Sequence, residues 1–289
     1  MNCIYHSVDL DGYCSAAIVK KWHEQNTRSD KGELKLIGWN YGQPIPELDG
    51  EPVIMVDVSF PPEVMLEVSK NCKGHLTWID HHVSAIKDMC EFMIDKPPFL
   101  THVTDTKFAA CELTWTYLFS SPPPAAVQLL GMYDSWRDED KEKWNNVVMP
   151  FQYGMRSICN SVNTFPMEYL EFKDILPLIN TGDTILRYQK QQNKGLCRLA
   201  FERKFKGLRA ICINVSGENS QTFESAWDES KHDLMLAFYY NGNHDQYTVS
   251  LYSTKPEVDC SVLAKSMGGG GHKGAAGFQV KEFKTIFDN

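Results

Sequence analysis

The chain has 289 residues, and the usual domain size of roughly 100 to 200 residues favours two domains over one. Hydrophobic residues make up 43% and charged residues 23%, a composition that supports a full core and excludes long disordered tracts. The net charge of −8 argues against a protein that binds long nucleic acid duplexes, because such binding requires the neutralisation of many phosphates. A short anionic substrate bound through metal ions is compatible with this charge.

Cysteine usage and the N-terminus indicate the compartment. The nine cysteines are dispersed, odd in number and form no C-x-x-C pair, which is typical of thiols in a reducing environment. Met1 is not followed by a basic flank and an apolar run, and no stretch reaches the roughly 18 apolar residues of a membrane span. We therefore expect a cytoplasmic protein that does not engage a membrane.

The first 82 residues alternate strand and helix patterns. Strands are predicted at residues 3–5, 34–39, 52–56 and 76–79, and helices at about 15–25 and from Pro61-Pro62 onward. Repeated strand-helix-strand units imply right-handed crossovers. The predicted fold class is α/β, with a doubly wound, mainly parallel sheet in the first domain.

The rest of the chain predicts helices and then a smaller second domain. Helices are predicted at 107–118, 123–133 and over most of 165–200, then strands at 208–215, 234–240 and 247–252 with short helices after Ser220 and at 260–267. The last two strands are expected to form a hairpin. We expect a catalytic domain at 1–190, a polar linker at 191–204 and a smaller α/β substrate-binding domain at 205–289.

Acidic and histidine residues follow three of the predicted strands, in the stretches HSVDLDG (6–12), VDV (56–58) and DHH (80–82). In a parallel sheet the carboxyl ends of the strands meet at one edge, where ligands bind. Carboxylate oxygens suit hard divalent cations, and imidazole nitrogens favour manganese or another transition ion. Each stretch alone is more often a turn or a helix cap, but together they predict a metal site.

These stretches resemble the motifs of the DHH phosphoesterase superfamily, which is named for the tripeptide found here at residues 80–82. The resemblance spans nearly the whole chain, through HSVDLDGYCSAA (6–17), VDVS (56–59), IDHH (79–82), YDSW (133–136) and GGGGHKGAAGF (268–278). The last segment is similar to the signature of the DHH-associated domain of RecJ-like exonucleases, oligoribonucleases and cyclic-dinucleotide phosphodiesterases. One departure is the short spacing His-x-x-Asp-x-Asp-Gly, since many members have one more residue and a proline there.

The resemblance implies two divalent metal ions, with Mn²⁺ favoured and Mg²⁺ or Co²⁺ as alternatives. The ligands of the two ions would be His6, Asp9 and Asp57, and Asp11, Asp57, His81 and Asp134. Asp57 would then bridge the ions. Asp80 would support the neighbouring imidazole and fix the tautomer of that ligating histidine, and His82 would face a substrate phosphate.

Substrate contacts are predicted in both domains. The glycine run offers backbone N–H groups to a phosphate or base, and the candidates are Gly269, Gly270, Gly271, His272, Lys273, His82, Arg137 and Arg156. Tyr133 and Trp136 could stack a base, although packing is the commoner role of such aromatics.

The resemblance implies a phosphodiesterase that hydrolyses short oligonucleotides, or linear or cyclic dinucleotides, to mononucleotides. Catalysis would use Asp57, Asp80 and His82 together with two-metal activation of a bridging water. A pyrophosphatase or polyphosphatase with the same metal chemistry is one alternative, and a catalytically inactive nucleic-acid-binding scaffold is another. Binding of long duplexes is not expected, and a homodimer is compatible with the sequence.

Overall fold

The computed structural model describes residues 1–26, 32–216, 219–271 and 273–288. It forms two compact units, Met1–Leu186 and Arg187–Asn289. Within the described ranges, no helix combines the length and the apolar character needed to cross a lipid bilayer.

The first unit is an α/β domain. Its strands and helices are, in chain order, β1 (Asn2–His6), α1 (Leu10–Asn26), β2 (Lys35–Trp39), β3 (Val53–Val56), α2 (Pro62–Asn71), β4 (Leu76–Asp80), α3 (Val83–Met93), β5 (Thr101–Thr104), α4 (Ala110–Leu118), α5 (Ala125–Asp134), α6 (Lys141–Lys143) and α7 (Met149–Ile158). A π-helical turn, Trp144–Val148, lies between α6 and α7. Helix α8 (Leu176–Cys197) crosses the boundary between the units.

The sheet of the first unit is parallel throughout, with strand order β2-β1-β3-β4-β5. The predicted doubly wound, mainly parallel class is therefore confirmed. All four residues of β3 are buried, as expected for a strand with both faces covered. The strand order reverses direction between β1 and β3, and this switch point is where folds of this class bind ligands.

Helix α1 begins at Leu10, earlier than the prediction of about residue 15. The side chain of Asp9 accepts the N–H of Gly12 at 3.0 Å and so caps the first turn. Residues 10–19 are buried on all sides of the helix, so no single apolar face marks its start. The early start brings Asp11 into the buried first turn.

The second unit contains β6 (Phe201–Phe205), β7 (Leu208–Asn214), β8 (Leu234–Asn241), β9 (Gln246–Tyr252), α9 (Cys260–Lys265), β10 (Gly270–Gly271) and β11 (Ala275–Val280). Its six strands have the order β10-β11-β9-β8-β7-β6, and β8 and β9 form the predicted hairpin. The segment after Ser220 is a 3₁₀ turn, Ser220–Phe223. In the region predicted as a linker, 191–204, helix α8 continues to Cys197 and strand β6 begins at Phe201.

Candidate metal centre

The first cluster of candidate ligands forms where β1 ends. Nδ1 of His6 lies 2.7 Å from Oδ2 of Asp9 and 3.5 Å from Oδ2 of Asp57. A Cβ on Gly12 would lie 2.0 Å from the carbonyl oxygen of His6, so only glycine allows α1 to start this close to the strand. The short His-x-x-Asp spacing therefore still places His6 beside both carboxylates.

Asn40, which the sequence analysis did not single out, orients the His6 ring. Its Oδ1 lies 3.3 Å from Nε2 of His6 and accepts the N–H of Tyr41 at 2.8 Å. Because this oxygen only accepts, Nε2 of His6 carries a proton and Nδ1 faces the aspartates. Asn40 follows β2 as the acidic stretches follow β1, β3 and β4, and that position was the available signal.

The second cluster surrounds His81. Its Nε2 lies 3.1 Å from Oδ2 of Asp134, 3.4 Å from Oδ1 of Asp57 and 3.7 Å from Oδ2 of Asp11. The two oxygens of Asp57 thus face different imidazoles, Oδ2 towards His6 and Oδ1 towards His81. Asp57 stands between the two clusters, as a bridging ligand must.

Asp57 combines an unusual backbone with an unsatisfied side chain. Its φ is +60°, a left-handed conformation that aspartate tolerates better than most residues, and its N–H donates to the carbonyl of Ile79 at 2.9 Å. Both of its carboxylate oxygens are buried without a hydrogen-bond partner among the described residues. A buried carboxylate in that state is costly unless a cation accompanies it.

Nδ1 of His6 and Nε2 of His81 are likewise buried without a bond of hydrogen-bond geometry in the described part of the chain. These two nitrogen atoms lie close to carboxylate oxygens, and each nitrogen faces the same position as the oxygens around it. Three groups have ligand atoms within 4.8 Å of one another: His6, Asp9 and Asp57; Asp11, His81 and Asp134; Asp57, His81 and His82. These partly buried clusters have the donors and the spacing to bind metal ions.

The electrostatics of the cluster also favour cations. Burial, reinforced by the charge of Asp9, raises the pKa of Asp57 to about 6, and burial raises the pKa of Asp11 well above its usual range. Burial alone would lower the pKa of His6 and His81, but contacts with the surrounding carboxylates outweigh it and raise the two values to about 10 and 11. At neutral pH without metal, the imidazoles therefore hold protons that offset the carboxylates.

Asp80 does not join the ligand groups in the described residues. Its Oδ1 accepts the backbone N–H groups of His81 at 2.7 Å and His82 at 3.1 Å and contacts Nδ1 of His82 at 2.7 Å, while Oδ2 accepts Nε1–H of Trp78 at 3.2 Å. This carboxylate shapes the turn after β4 and holds Nδ1 of His82. Its imidazole contact is therefore with the ring of His82 and not with that of His81, and His82 forms a ligand group with Asp57 and His81 in the described residues.

The N-terminus of α4 holds Asp11. The N–H groups of Ala110 and Cys111 each donate to one Asp11 oxygen at 2.9 Å, a favourable use of a helix N-terminus. Beside it, Glu112 is buried and pairs with Arg137, which also donates to Ser135. The structure thus places Arg137 in an ion pair, and its predicted phosphate contact stays a prediction. Sequence reasoning missed Glu112, because an acidic residue early in a helix usually reads as a solvated cap.

The remaining predicted substrate residues lie apart from these clusters in sequence. Arg156 is exposed, with its guanidinium 5.2 Å from the ring centre of Tyr133. In the second unit, Gly270 and Gly271 pair with β11, and a Cβ on Gly269 would lie 2.1 Å from the carbonyl oxygen of Gly277.

Close strand contact therefore accounts for the small residues at Gly269 and Gly271, whereas a Cβ on Gly270 would meet nothing within 4 Å. The carbonyl of Lys273 accepts the N–H of Cys260 at 2.8 Å, and His272 lies outside the described residues. The predicted substrate contacts of this segment stay predictions.

No family model matches this chain. Individual similar proteins align with nearly all of it. The uncharacterised protein R106 of Acanthamoeba polyphaga mimivirus is 24% identical over 309 aligned positions, covering 97% of this chain and 68% of the viral protein.

Among solved structures, an exopolyphosphatase-related protein from Bacteroides fragilis is 12% identical, with 96% of this chain and 85% of that chain covered and a TM-score of 0.52. A pGpG-specific phosphodiesterase from Vibrio cholerae is 12% identical, with 96% and 92% of the two chains covered and a TM-score of 0.49. The likeness to the Bacteroides fragilis protein shows a shared fold.

Proposed function

We propose that this chain is a metal-dependent phosphodiesterase of the DHH phosphoesterase superfamily that hydrolyses short oligonucleotides or dinucleotides to mononucleotides. One observation carries the proposal: both oxygens of Asp57, Nδ1 of His6 and Nε2 of His81 are buried without a hydrogen bond among the described residues, and these residues belong to groups whose ligand atoms lie within 4.8 Å of one another. The motifs that resemble the superfamily supply these atoms. The fold shared with an exopolyphosphatase-related protein is compatible with phosphoester chemistry.

The two proposed ion positions correspond to the two clusters that share Asp57. One would use His6, Asp9 and Asp57, and the other Asp11, Asp57, His81 and Asp134, whose contacts range from 2.7 to 3.7 Å. The mixture of oxygen and nitrogen donors suits Mn²⁺ better than Mg²⁺. When bound, a pair of divalent ions activates water for attack on phosphorus and offsets the charge that develops on the phosphoryl oxygens.

The chain's own side chains then orient the reaction. Asn40 and Asp80 fix the rings of His6 and His82 through hydrogen bonds of 3.3 and 2.7 Å. Because Nδ1–H of His82 donates to Asp80, Nε2 of the neutral ring would accept a hydrogen bond, and only the imidazolium form would donate Nε2–H to a phosphoryl oxygen of the substrate. No side-chain nucleophile is needed, and the cysteines nearest the motifs, Cys14 and Cys111, are buried.

The proposal extends to partners and to the second unit. A net charge of −8 suits a substrate with few phosphates and disfavours long duplexes. Residues 269–273 are proposed to contact the substrate, chiefly through the Lys273 ammonium. The N–H of Gly269 donates to the carbonyl of Ala264 at 2.8 Å and is not one of these contacts. A cytoplasmic location, no engagement of membranes, and a homodimer belong to the same proposal.

A hydrolysis panel tests the function. Purified protein is given pApA, a five-nucleotide RNA, a long single strand, a cyclic dinucleotide and pyrophosphate, each with Mn²⁺ or Mg²⁺. We expect the dinucleotide and the five-mer to be cleaved fastest and Mn²⁺ to be the better ion. Release of phosphate from pyrophosphate without cleavage of pApA would instead establish a pyrophosphatase, and no turnover of any substrate would support an inactive scaffold.

A further inference from the structure

Helix α5 ends with a tryptophan in a position that normally holds glycine. The N–H of Arg137 donates to the carbonyl of Met132 at 3.0 Å, and the N–H of Trp136 donates to the carbonyl of Tyr133 at 3.3 Å. These two bonds define a Schellman motif, in which the residue after the cap adopts a left-handed conformation and is usually glycine. Here that residue is Trp136, with φ +52°.

Burial does not explain this choice, because Trp136 is 68% exposed. A bulky residue in the left-handed region is strained, and such strain persists most often where function requires the side chain. Trp136 therefore occupies a position that neither backbone preference nor burial in the core favours.

The neighbouring rings hold the indole in a defined plane. The Trp136 ring lies within 25° of parallel to both Tyr133 and Trp144, at centroid distances of 6.3 and 6.2 Å. Trp144 is buried and Tyr133 is partly buried, so the aromatic cluster is anchored in the protein at Trp144 and exposed to solvent at Trp136. The exposed guanidinium of Arg156 lies over the Tyr133 ring and adds a cation next to this surface.

The surface adjoins the candidate metal centre. Trp136 is two residues from Asp134, so their Cα atoms are at most about 7.6 Å apart, and Oδ2 of Asp134 lies 3.1 Å from His81. A base is joined to its phosphate through one sugar, so a phosphate at the metal centre would bring a base close to this part of the chain. Stacking on an aromatic face accepts any base, because every base has a π-face.

We infer that Trp136 is a nucleobase-stacking residue that selects nucleotide-containing phosphodiesters over inorganic polyphosphates. This inference rests on the proposed function and adds the substrate class to it. Trp136 binds substrate and takes no part in bond cleavage. Its loss therefore raises KM more than it lowers kcat.

Three variants separate binding from folding. Trp136→Gly removes the ring and suits the left-handed backbone, so its Tm is expected to equal or exceed that of the wild type. Trp136→Phe restores an aromatic face. Phe172→Gly is the matched control, because Phe172 also has a left-handed φ, +61°, and is 65% exposed, but is not next to a candidate ligand in sequence.

The kinetic test compares pApA with an analogue that has abasic sugars. For Trp136→Gly we expect KM for pApA to rise roughly 10- to 100-fold, with the analogue unaffected, and Trp136→Phe to recover most of the loss. Phe172→Gly should behave as the wild type. An unchanged KM for pApA, or equal losses on both substrates, would overturn the inference.

A binding measurement separates this inference from the proposed function. Calorimetric titration with AMP and with ribose 5-phosphate in the presence of Mn²⁺ requires no turnover. The wild type should bind AMP more tightly, and Trp136→Gly should abolish the difference. If the wild type cleaves nothing but this difference is present, the stacking site stands and the hydrolase proposal fails; equal binding of the two ligands by the wild type would refute the stacking site.

Discussion

Asp57 is the residue on which the proposed site depends most. Its two oxygens face the two clusters, and its left-handed backbone conformation comes directly after the last residue of β3. Asparagine also tolerates the left-handed region and has nearly the same shape. Replacement by asparagine therefore removes the charge while keeping the backbone.

We predict that Asp57→Asn folds normally but loses hydrolysis of pApA by roughly 10³-fold or more, as expected when a group needed by both ions is lost. Metal content by mass spectrometry should fall in parallel. Asp88→Asn is the control, because Asp88 is exposed on α3. Retention of metal and activity in Asp57→Asn would show that the convergence around Asp57 has no role in metal binding.

The raised pKa values of His6 and His81 give a second prediction about individual residues. His6 and His81 have folded-state pKa values of about 10 and 11 against the usual 6.5. Because both are raised, their contribution to the stability of the metal-free protein is complete below pH 6.5 and is lost as the pH rises through 10 and 11. A metal ion at neutral pH must displace these protons.

Calorimetric titration with Mn²⁺ at pH 7, in buffers of different ionisation enthalpy, should therefore show release of about one to two protons per chain, and binding should tighten as pH rises. His81→Gln should release fewer. Proton-neutral binding would contradict the assignment of these imidazoles as ligands.

Sequence motifs pointed to the candidate ligands but not to the groups that hold them. Asp9, Asp57 and His81 each follow a strand, so the topology alone predicted that they would meet. Asn40 and Glu112 act through partners 34 and 25 residues away, and those pairings depend on how β2 and α5 lie in the fold. The position of Asn40 directly after β2 was a signal in the sequence, but no local pattern indicates that Glu112 pairs with Arg137.

At the scale of elements, the junction between β1 and α1 determines the first cluster. In an ordinary helix interior, glycine to alanine stabilises by about 1 kcal/mol. At Gly12 the new Cβ would lie 2.0 Å from the carbonyl oxygen of His6, so the same substitution is expected to destabilise the protein. Gly195 in α8 is the matched control, since a Cβ there meets nothing within 4 Å.

We predict that Gly12→Ala lowers the free energy of unfolding by about 2 kcal/mol and weakens Mn²⁺ binding, because His6 is displaced. Gly195→Ala should raise it by about 0.5 to 1 kcal/mol. Urea denaturation of both variants gives the comparison. A stabilised Gly12→Ala with normal metal binding would show that the junction does not depend on this close contact.

The elements themselves were predictable to different extents. Buried strands such as β3 carry continuous apolar runs and were found within a residue of their bounds. Strand β5 was missed because its four residues, Thr101–Thr104, are short, partly exposed and lie at the sheet edge. The helical residues 141–158 were also missed, since Pro150 and a π-helical turn interrupt the regular spacing there.

For the whole molecule, all the candidate ligand groups found among the described residues lie in Met1–Leu186. The sequence predicted domains at 1–190 and 205–289 from the change from alternating strands and helices to a hairpin-rich region, and those bounds stay a prediction. The predicted helix over most of 165–200 agrees with α8, although the polar residues at 189–195 led to a linker being placed from 191, within that helix.

Metal binding should therefore protect the first unit selectively. In hydrogen exchange with Mn²⁺, we expect slower exchange in peptides that contain the ends of β1, β3 and β4 and the start of α4. Peptides from β8 and β9 should exchange at an unchanged rate. Equal protection in both units, or protection that persists in Asp57→Asn, would contradict a centre confined to these residues.

The central claim is that the cluster around Asp57 binds divalent ions and uses them to hydrolyse a phosphodiester. The most direct measurement is the initial rate of pApA cleavage by metal-free protein titrated with Mn²⁺, for the wild type and Asp57→Asn. We expect a rate that saturates at about two ions per chain in the wild type and stays at background in the variant. No cleavage at any Mn²⁺ concentration, or equal rates in the two proteins, would contradict it.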